Sequence, residues 1–490
     1  MSDNLINSIT RNSYQEFADR SKRGIKWQGT AELVIRALQF TITVILARLL
    51  QPDDFGLITI ALLFTQFAYV VFDFGFSAAL VQKKEIRPIH YSTTFFVNLV
   101  MASFWGIVIY LSAGYIAEFF YLPGLKDILK LLVLIFPLYA ISGIPYTRLV
   151  RSIRFRRIGI LQTISTVVYG SVAVYLALDG YGVWSFVYAI LAENVVLALL
   201  YNVFSPWKPN LRYSFVAMKE LVVFGGIVMN SRLLSYVNNR IPSFAFGRWL
   251  GAGPLGVYSL VYQIIEFPVQ RISKNILKVI FPVLSQIQDD TENYKNMILS
   301  TIYYLGLIVI PLFAGMVLIA PEFIELVYGE KWSAAIVPLQ ILTVVGLLRS
   351  FWMMNSAIFL SKGKPIIEFK LNILFFVLLL GFMTLAFPYG LNMLILTIAA
   401  VWWVLFFSGL MKALQLASIP YFMYFKKLRF AGVATLLFVT VNLLWPVLTP
   451  EVSGWASLII KIGSSLLIYF FCMRLFDPQI FKKFMDFARL

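Results

Sequence analysis

Long apolar runs separated by short polar breaks dominate the chain. Runs of roughly 18 or more residues fall at about 27–47, 56–80, 91–113, 127–147, 158–178 and 182–204. A second set falls at about 216–237, 254–270, 297–320, 333–360, 366–387, 391–411, 430–448 and 455–476. A helix of about 20 apolar residues crosses the hydrocarbon of a bilayer, so the pattern predicts an all-α polytopic membrane protein with about fourteen transmembrane helices. The eighth run is the weakest. It continues from Arg271 to Val283 as a mixture of Arg271, Lys274 and Lys278 with Ile272, Ile276, Leu277 and Ile280, and a helix running out along the interface is expected there. Residues 1–26 are polar and contain no apolar h-region, so a cleaved signal peptide is not expected.

Composition agrees. The 490 residues are 60% hydrophobic and 13% charged, whereas a soluble domain carries about 25% charged residues. One cysteine, Cys472, and one histidine, His90, exclude a disulfide framework, a thiolate cluster, a His-based metal site and a Ser/His pair with a spare. No Gly-x-x-x-x-Gly-Lys-Ser/Thr pattern occurs to bind a nucleotide. Neither cofactor nor metal is expected, and no enzymatic chemistry.

The net charge of +17 raises nucleic acid as a partner until the basic residues are sorted by side. With a cytoplasmic N-terminus, 31 of the 41 Lys and Arg residues fall in inner segments and six in outer ones. That is the positive-inside bias. The excess is an orientation signal, nucleic acid is not needed, and both termini are expected in the cytoplasm.

The chain also repeats. Ala47-Arg48-Leu49-Leu50 before Phe55-Gly56-Leu57 is echoed by Gly247-Arg248-Trp249-Leu250 before Leu255-Gly256-Val257, and Gly180-Tyr181-Gly182-Val183 by Pro388-Tyr389-Gly390-Leu391. Six spans separate each pair, so the two units are parallel. The expected organisation is a cytoplasmic tail (1–26), an N-lobe of six spans (27–204), a linker (205–215) and a C-lobe of six spans (216–411). Two further spans (412–476) and a tail (477–490) complete it.

The turn Leu46-Ala47-Arg48-Leu49-Leu50-Gln51-Pro52-Asp53-Asp54-Phe55-Gly56 resembles that of the Wzx-type polysaccharide-biosynthesis flippases of the multidrug/oligosaccharidyl-lipid/polysaccharide (MOP) exporter superfamily. Ala79-Leu80-Val81-Gln82-Lys83-Lys84, Arg151-Ser152-Ile153-Arg154-Phe155-Arg156 and Gly180-Tyr181-Gly182-Val183-Trp184-Ser185 resemble its colanic-acid and teichuronic-acid exporter branch. The resemblance implies two six-helix lobes flanking a cavity, plus two peripheral helices. It also implies translocation of an undecaprenyl-pyrophosphate-linked oligosaccharide by alternating access across a bacterial cytoplasmic membrane. A cation gradient of H+ or Na+ and contact with a polymerase or export machinery go with that reading. Other cargoes of the superfamily, lipid II or cationic drugs, are the nearest alternatives. A membrane glycosyltransferase or polymerase is disfavoured, because the longest expected outer segment spans only residues 238–253.

Charges inside spans are costly and face a cavity or a partner by default. Eight are expected: Glu32, Arg36, Asp73, Glu193, Arg232, Glu266, Arg349 and Lys461. Mutual neutralisation accounts for them at the simplest level, Glu32 with Arg36 as an i,i+4 pair. A diphosphate cargo gives the sharper reading, since the arginine fork suits its oxygens. Arg36, Arg232 and Arg349 are then substrate-binding candidates, and Asp73, Glu193, Glu266 and Glu32 cation-coupling candidates. Arg148, Arg151 and Arg154 are candidates for the cytoplasmic entrance, and Arg48 and Arg248 for an outer gate. Lys461 is expected to snorkel outward, and His90 to be an interfacial residue.

Overall fold

The computed structural model describes residues 27, 29–448, 454–476 and 478; the two polar tails lie outside the described residues, apart from Pro478. Among the described residues there is no strand. Thirteen helices of the described residues are long and apolar enough to cross a membrane. A fourteenth, Ala252–Pro268, is 17 residues long and corresponds to the weak eighth run. The described residues form two compact units that part between Gly253 and Pro254.

The first unit contains α1 (Gly29–Leu49), α2 (Pro52–Phe72), α3 (Phe76–Gln82), α4 (Pro88–Phe119), α5 (Leu125–Leu132), α6 (Ile135–Arg151), α7 (Phe155–Leu178), α8 (Trp184–Phe204) and α9 (Phe215–Leu250). Pro52 opens α2, where its missing N–H costs nothing, and the Asp54 carboxylate accepts the Gln51 N–H at 2.9 Å. Helices α7 and α8 pack as a hairpin, α6 lies against α4 and α8, and α9 packs on α2, α3 and α4.

The second span is not the continuous helix expected. It breaks at Asp73-Phe74-Gly75, where Phe74 and Gly75 adopt φ of +45° and +70°. The break lets two backbones meet: a Cβ on Gly75 would lie 2.3 Å from the Gly225 carbonyl oxygen of α9. The seventh span also differs. Residues 238–250, expected as part of an outer loop, continue the helix of α9 to Leu250, with Pro242 inside it. The helix that opens the expected C-lobe thus packs here on the helices of the first unit. Bonds to α2 fix its C-terminal half: Arg240 donates to Gln66 Oε1 at 2.8 Å, and the Tyr236 hydroxyl to the Leu63 carbonyl at 2.6 Å.

The linker before α9 is fastened along its length. Arg148 donates to the Pro206 carbonyl at 2.8 Å, Trp207 meets Phe95 with ring centroids 5.5 Å apart, and the N–H groups of Asn210 and Ser214 donate to Ser92 and Thr93. A surface strap would leave these polar groups to water; here α4 and α6 satisfy them.

The second unit follows α10 (Ala252–Pro268) with a π-helical turn, Val269–Ser273, and α11 (Lys274–Gln286). Pro268 cannot donate within the helix ladder, and the π turn directly after it absorbs the disruption. Then come α12 (Thr291–Phe323), α13 (Ile336–Ser361), α14 (Pro365–Ala386), α15 (Leu391–Ala417), α16 (Tyr421–Leu448) and α17 (Gly454–Phe476). The central helix is α13, packed by α11, α12 and α15. Small residues admit bulky neighbours: a Cβ on Gly409 would lie 2.3 Å from the Trp352 ring, and one on Gly346 2.5 Å from Ile265. Helices α16 and α17 attach to α12. Tyr469 donates to the Leu307 carbonyl at 2.7 Å, and Asn442 bonds Ser464 and Ser465.

Candidate functional site

Among the described residues, each unit pairs an in-span arginine with a carboxylate. In the first, Asp73 sits where α2 ends. One carboxylate oxygen accepts from Arg232 at 3.0 Å, and the other from the Ser77 hydroxyl at 2.6 Å. The Asp73 side chain is 5% exposed, whereas that of Arg232 is 46% exposed. Both donors have reasons in the sequence. The break at Phe74-Gly75 turns α3 so that Ser77 faces back to Asp73. The Gly225-Gly226 contact brings α9 close enough for Arg232, two turns further on, to reach over.

In the second unit, Arg349 of α13 lies 2.7 Å from Glu266 of α10, and their side chains are 11% and 24% exposed. Gln270 donates to the other Glu266 oxygen. The guanidinium lies over the rings of Tyr262 and Trp402, 5.4 and 5.8 Å from their centroids, and bonds the Tyr262 hydroxyl at 3.3 Å. Four of the eight expected in-span charges are therefore two mutual pairs.

The remaining candidates are placed as follows. Arg36 is exposed on α1 and donates to Gln39 Oε1 at 3.0 Å; Glu32 is exposed one turn earlier. Glu193 is half-buried on α8, within electrostatic reach of Tyr139 on α6 and Tyr169 on α7. Arg151 is committed to backbone: it donates to the carbonyls of Leu80 and Lys83 at 2.7 and 2.6 Å, and of Lys84 at 2.7 Å, closing the C-terminal end of α3. Arg148 holds the linker at Pro206, and Arg154 is the exposed residue before α7. Arg48 is exposed at the end of α1. Arg248 lies over Phe119 and Tyr121, 4.8 and 4.6 Å from their centroids.

Two residues depart from expectation. Lys461 does not snorkel; it pairs with Glu322 at the end of α12, to which Ser457 also donates. Glu322 lies just past the expected ninth span, so nothing local marked it as a membrane charge. His90 is not an interfacial side chain but is fully buried, with Nε2 3.0 Å from Glu220 of α9. Glu220 is 130 residues away in sequence, and no local spacing pointed to it.

The chain superposes on a lipid II flippase, MurJ in an inward closed conformation, with a TM-score of 0.74 over 92% of this chain and 99% of that one at 15% identity. It also superposes on an inward-facing multidrug resistance MATE transporter of the MOP superfamily, with a TM-score of 0.59 over 78% of this chain and 95% of that one at 16% identity. The polysaccharide biosynthesis protein family matches residues 45–337, and the chain belongs to it. Among curated relatives, it is 28% identical to the lipopolysaccharide biosynthesis protein WzxC of Escherichia coli (strain K12), over 72% of this chain and 73% of that one. It is 27% identical to the teichuronic acid biosynthesis protein TuaB of Bacillus subtilis (strain 168), over 71% and 72%.

Proposed function

We propose that this protein flips a polyprenyl-diphosphate-linked oligosaccharide from the cytoplasmic to the outer leaflet of a bacterial cytoplasmic membrane, by alternating access. The family supports a role in polysaccharide export. The observation that carries the cargo is Arg232: a half-exposed guanidinium on a membrane helix, held by one buried carboxylate. A diphosphate oxygen competes for it with Asp73, and the fork still has free N–H groups to offer. Arg36, exposed on α1, is a second contact for the anionic joint. Arg349 is available to an anion only if it leaves Glu266.

Cation coupling fits the carboxylates. When a diphosphate takes Arg232, Asp73 is left buried without its counter-charge, and a proton or Na+ restores neutrality. Glu193 is the alternative site, and Glu266 becomes one if Arg349 moves. The entrance stands at the basic end of the first unit and the outer gate at Arg48 and Arg248. The flipped product passes to a polymerase or export machinery.

A depletion strain fed radiolabelled sugar precursors tests the cargo. Lipid-linked oligosaccharide is expected to accumulate with its glycan inaccessible to externally added glycosidase. Normal surface polysaccharide with no accumulation sinks the reading, and accumulation of lipid II instead transfers it to the peptidoglycan precursor.

A further inference from the structure

At the basic end of the first unit, three nitrogen-bearing side chains surround one carboxylate, and two of them bond it. Glu220 Oε2 is 2.7 Å from Lys83 Nζ and 3.0 Å from His90 Nε2, and Oε1 is 3.9 Å from the Arg87 guanidinium. The histidine is fixed. The Arg87 N–H donates to its Nδ1 at 3.0 Å, so the ring proton sits on Nε2 and points at Glu220. Lys83 is held by Arg151, which grips its carbonyl and those of Leu80 and Lys84. Arg87 is different: its side chain is 69% exposed, and 3.9 Å is too long for a hydrogen bond. Lys83, Lys84, Arg87, Arg151 and Lys219 stand against Glu85 and Glu220, so the cluster is basic even with the carboxylate in its centre.

We propose that this cluster is a recognition site for a phosphate-bearing lipid headgroup, with the Glu220 carboxylate as an internal stand-in for the phosphate. Glu220 is reachable, since its side chain is 32% exposed and that of Lys83 28%. When it swings aside, a phosphate accepts from Lys83 and from the fixed His90 Nε2–H. It also engages the Arg87 fork, which a single carboxylate at this distance leaves unused. The headgroup comes either from the diphosphate of a polyprenyl lipid or from an anionic phospholipid. The site stands on these contacts and does not depend on the transport reading.

The test uses the full-length protein in phosphatidylcholine nanodiscs, titrated with inorganic diphosphate and with farnesyl diphosphate, and separately doped with phosphatidylglycerol. Glu220→Gln is expected to tighten binding of at least one phosphate probe about tenfold, the worth of roughly one charge-assisted hydrogen bond. Adding Arg87→Gln should cancel the gain. Gain with the diphosphates identifies a polyprenyl headgroup, and gain confined to phosphatidylglycerol a resident lipid; both support the site. Unchanged or weaker binding of all three probes by Glu220→Gln overturns it. Should that variant fail to fold, Arg87→Gln alone decides. It removes no hydrogen bond from Glu220, and is expected to weaken binding about tenfold; unaltered affinity overturns the proposal.

Discussion

The two interior arginine–carboxylate pairs are built from the same groups and placed in opposite ways. Arg349 is nearly buried, lies over two aromatic rings and has its carboxylate partner fixed by Gln270. Arg232 is half exposed, touches Asp73 with one nitrogen and is held where a helix has been broken. A guanidinium already desolvated and stacked has little to gain from a new anion. One still half exposed has N–H groups left to offer an anion with several acceptors. The difference separates a pair buried within the second unit from a pair that, on the proposed function, opens in the first.

That contrast is breakable by mutation. The largest stability effect is expected from Arg349→Ala, which leaves Glu266 uncompensated and should cost about 3–5 kcal/mol. Thermal unfolding in detergent measures it, and adding Glu266→Gln should restore much of the loss. Gly75→Ala comes next. It forces a Cβ into a left-handed backbone conformation and against the Gly225 carbonyl, so a loss of about 2–4 kcal/mol is expected in the same assay.

Arg232→Ala removes a half-exposed, solvent-screened guanidinium but leaves the buried Asp73 with only the Ser77 hydroxyl, so a loss of about 2 kcal/mol is expected in the same assay. It should nonetheless abolish complementation of a depletion strain while the protein still inserts. Full complementation would remove Arg232 from the transport path and collapse the contrast. The smallest effect is a control outside the spans. Asp290 accepts from the Asn293 side chain at 2.7 Å and from its N–H at 3.1 Å. These bonds hold the carboxyl below its usual range. Its stabilisation is therefore fully present above the ordinary carboxylate range and lost as pH falls through the depressed value. Asp290→Ala should flatten the acid end of the stability–pH profile and leave transport between pH 6 and 8 unchanged.

The sequence exposed both arginines and both carboxylates as charges in the wrong solvent, but left their pairing open. Asp73 and Arg232 lie 159 residues apart, and Glu266 and Arg349 lie 83 apart, so no periodicity links them. Arg151 shows a role the sequence did not carry. It was a candidate for the entrance with Arg148 and Arg154, yet its guanidinium also closes the end of a half-helix that exists only because Asp73-Phe74-Gly75 breaks the span. The break itself was hidden, since a Gly in an apolar run looks like any small membrane residue until a second backbone lies against it.

Hydrophobic length by itself determined the all-α fold, its spans and the count of charges that must find partners, because the bilayer enforces these residue by residue. The bias of basic residues set the expected orientation in the same local way. Tertiary structure alone decided which charge meets which, that α9 packs with the first unit, and that His90 is buried on Glu220. Those outcomes depend on close backbone approach at glycines and on desolvation between helices distant in sequence, which no single segment carries.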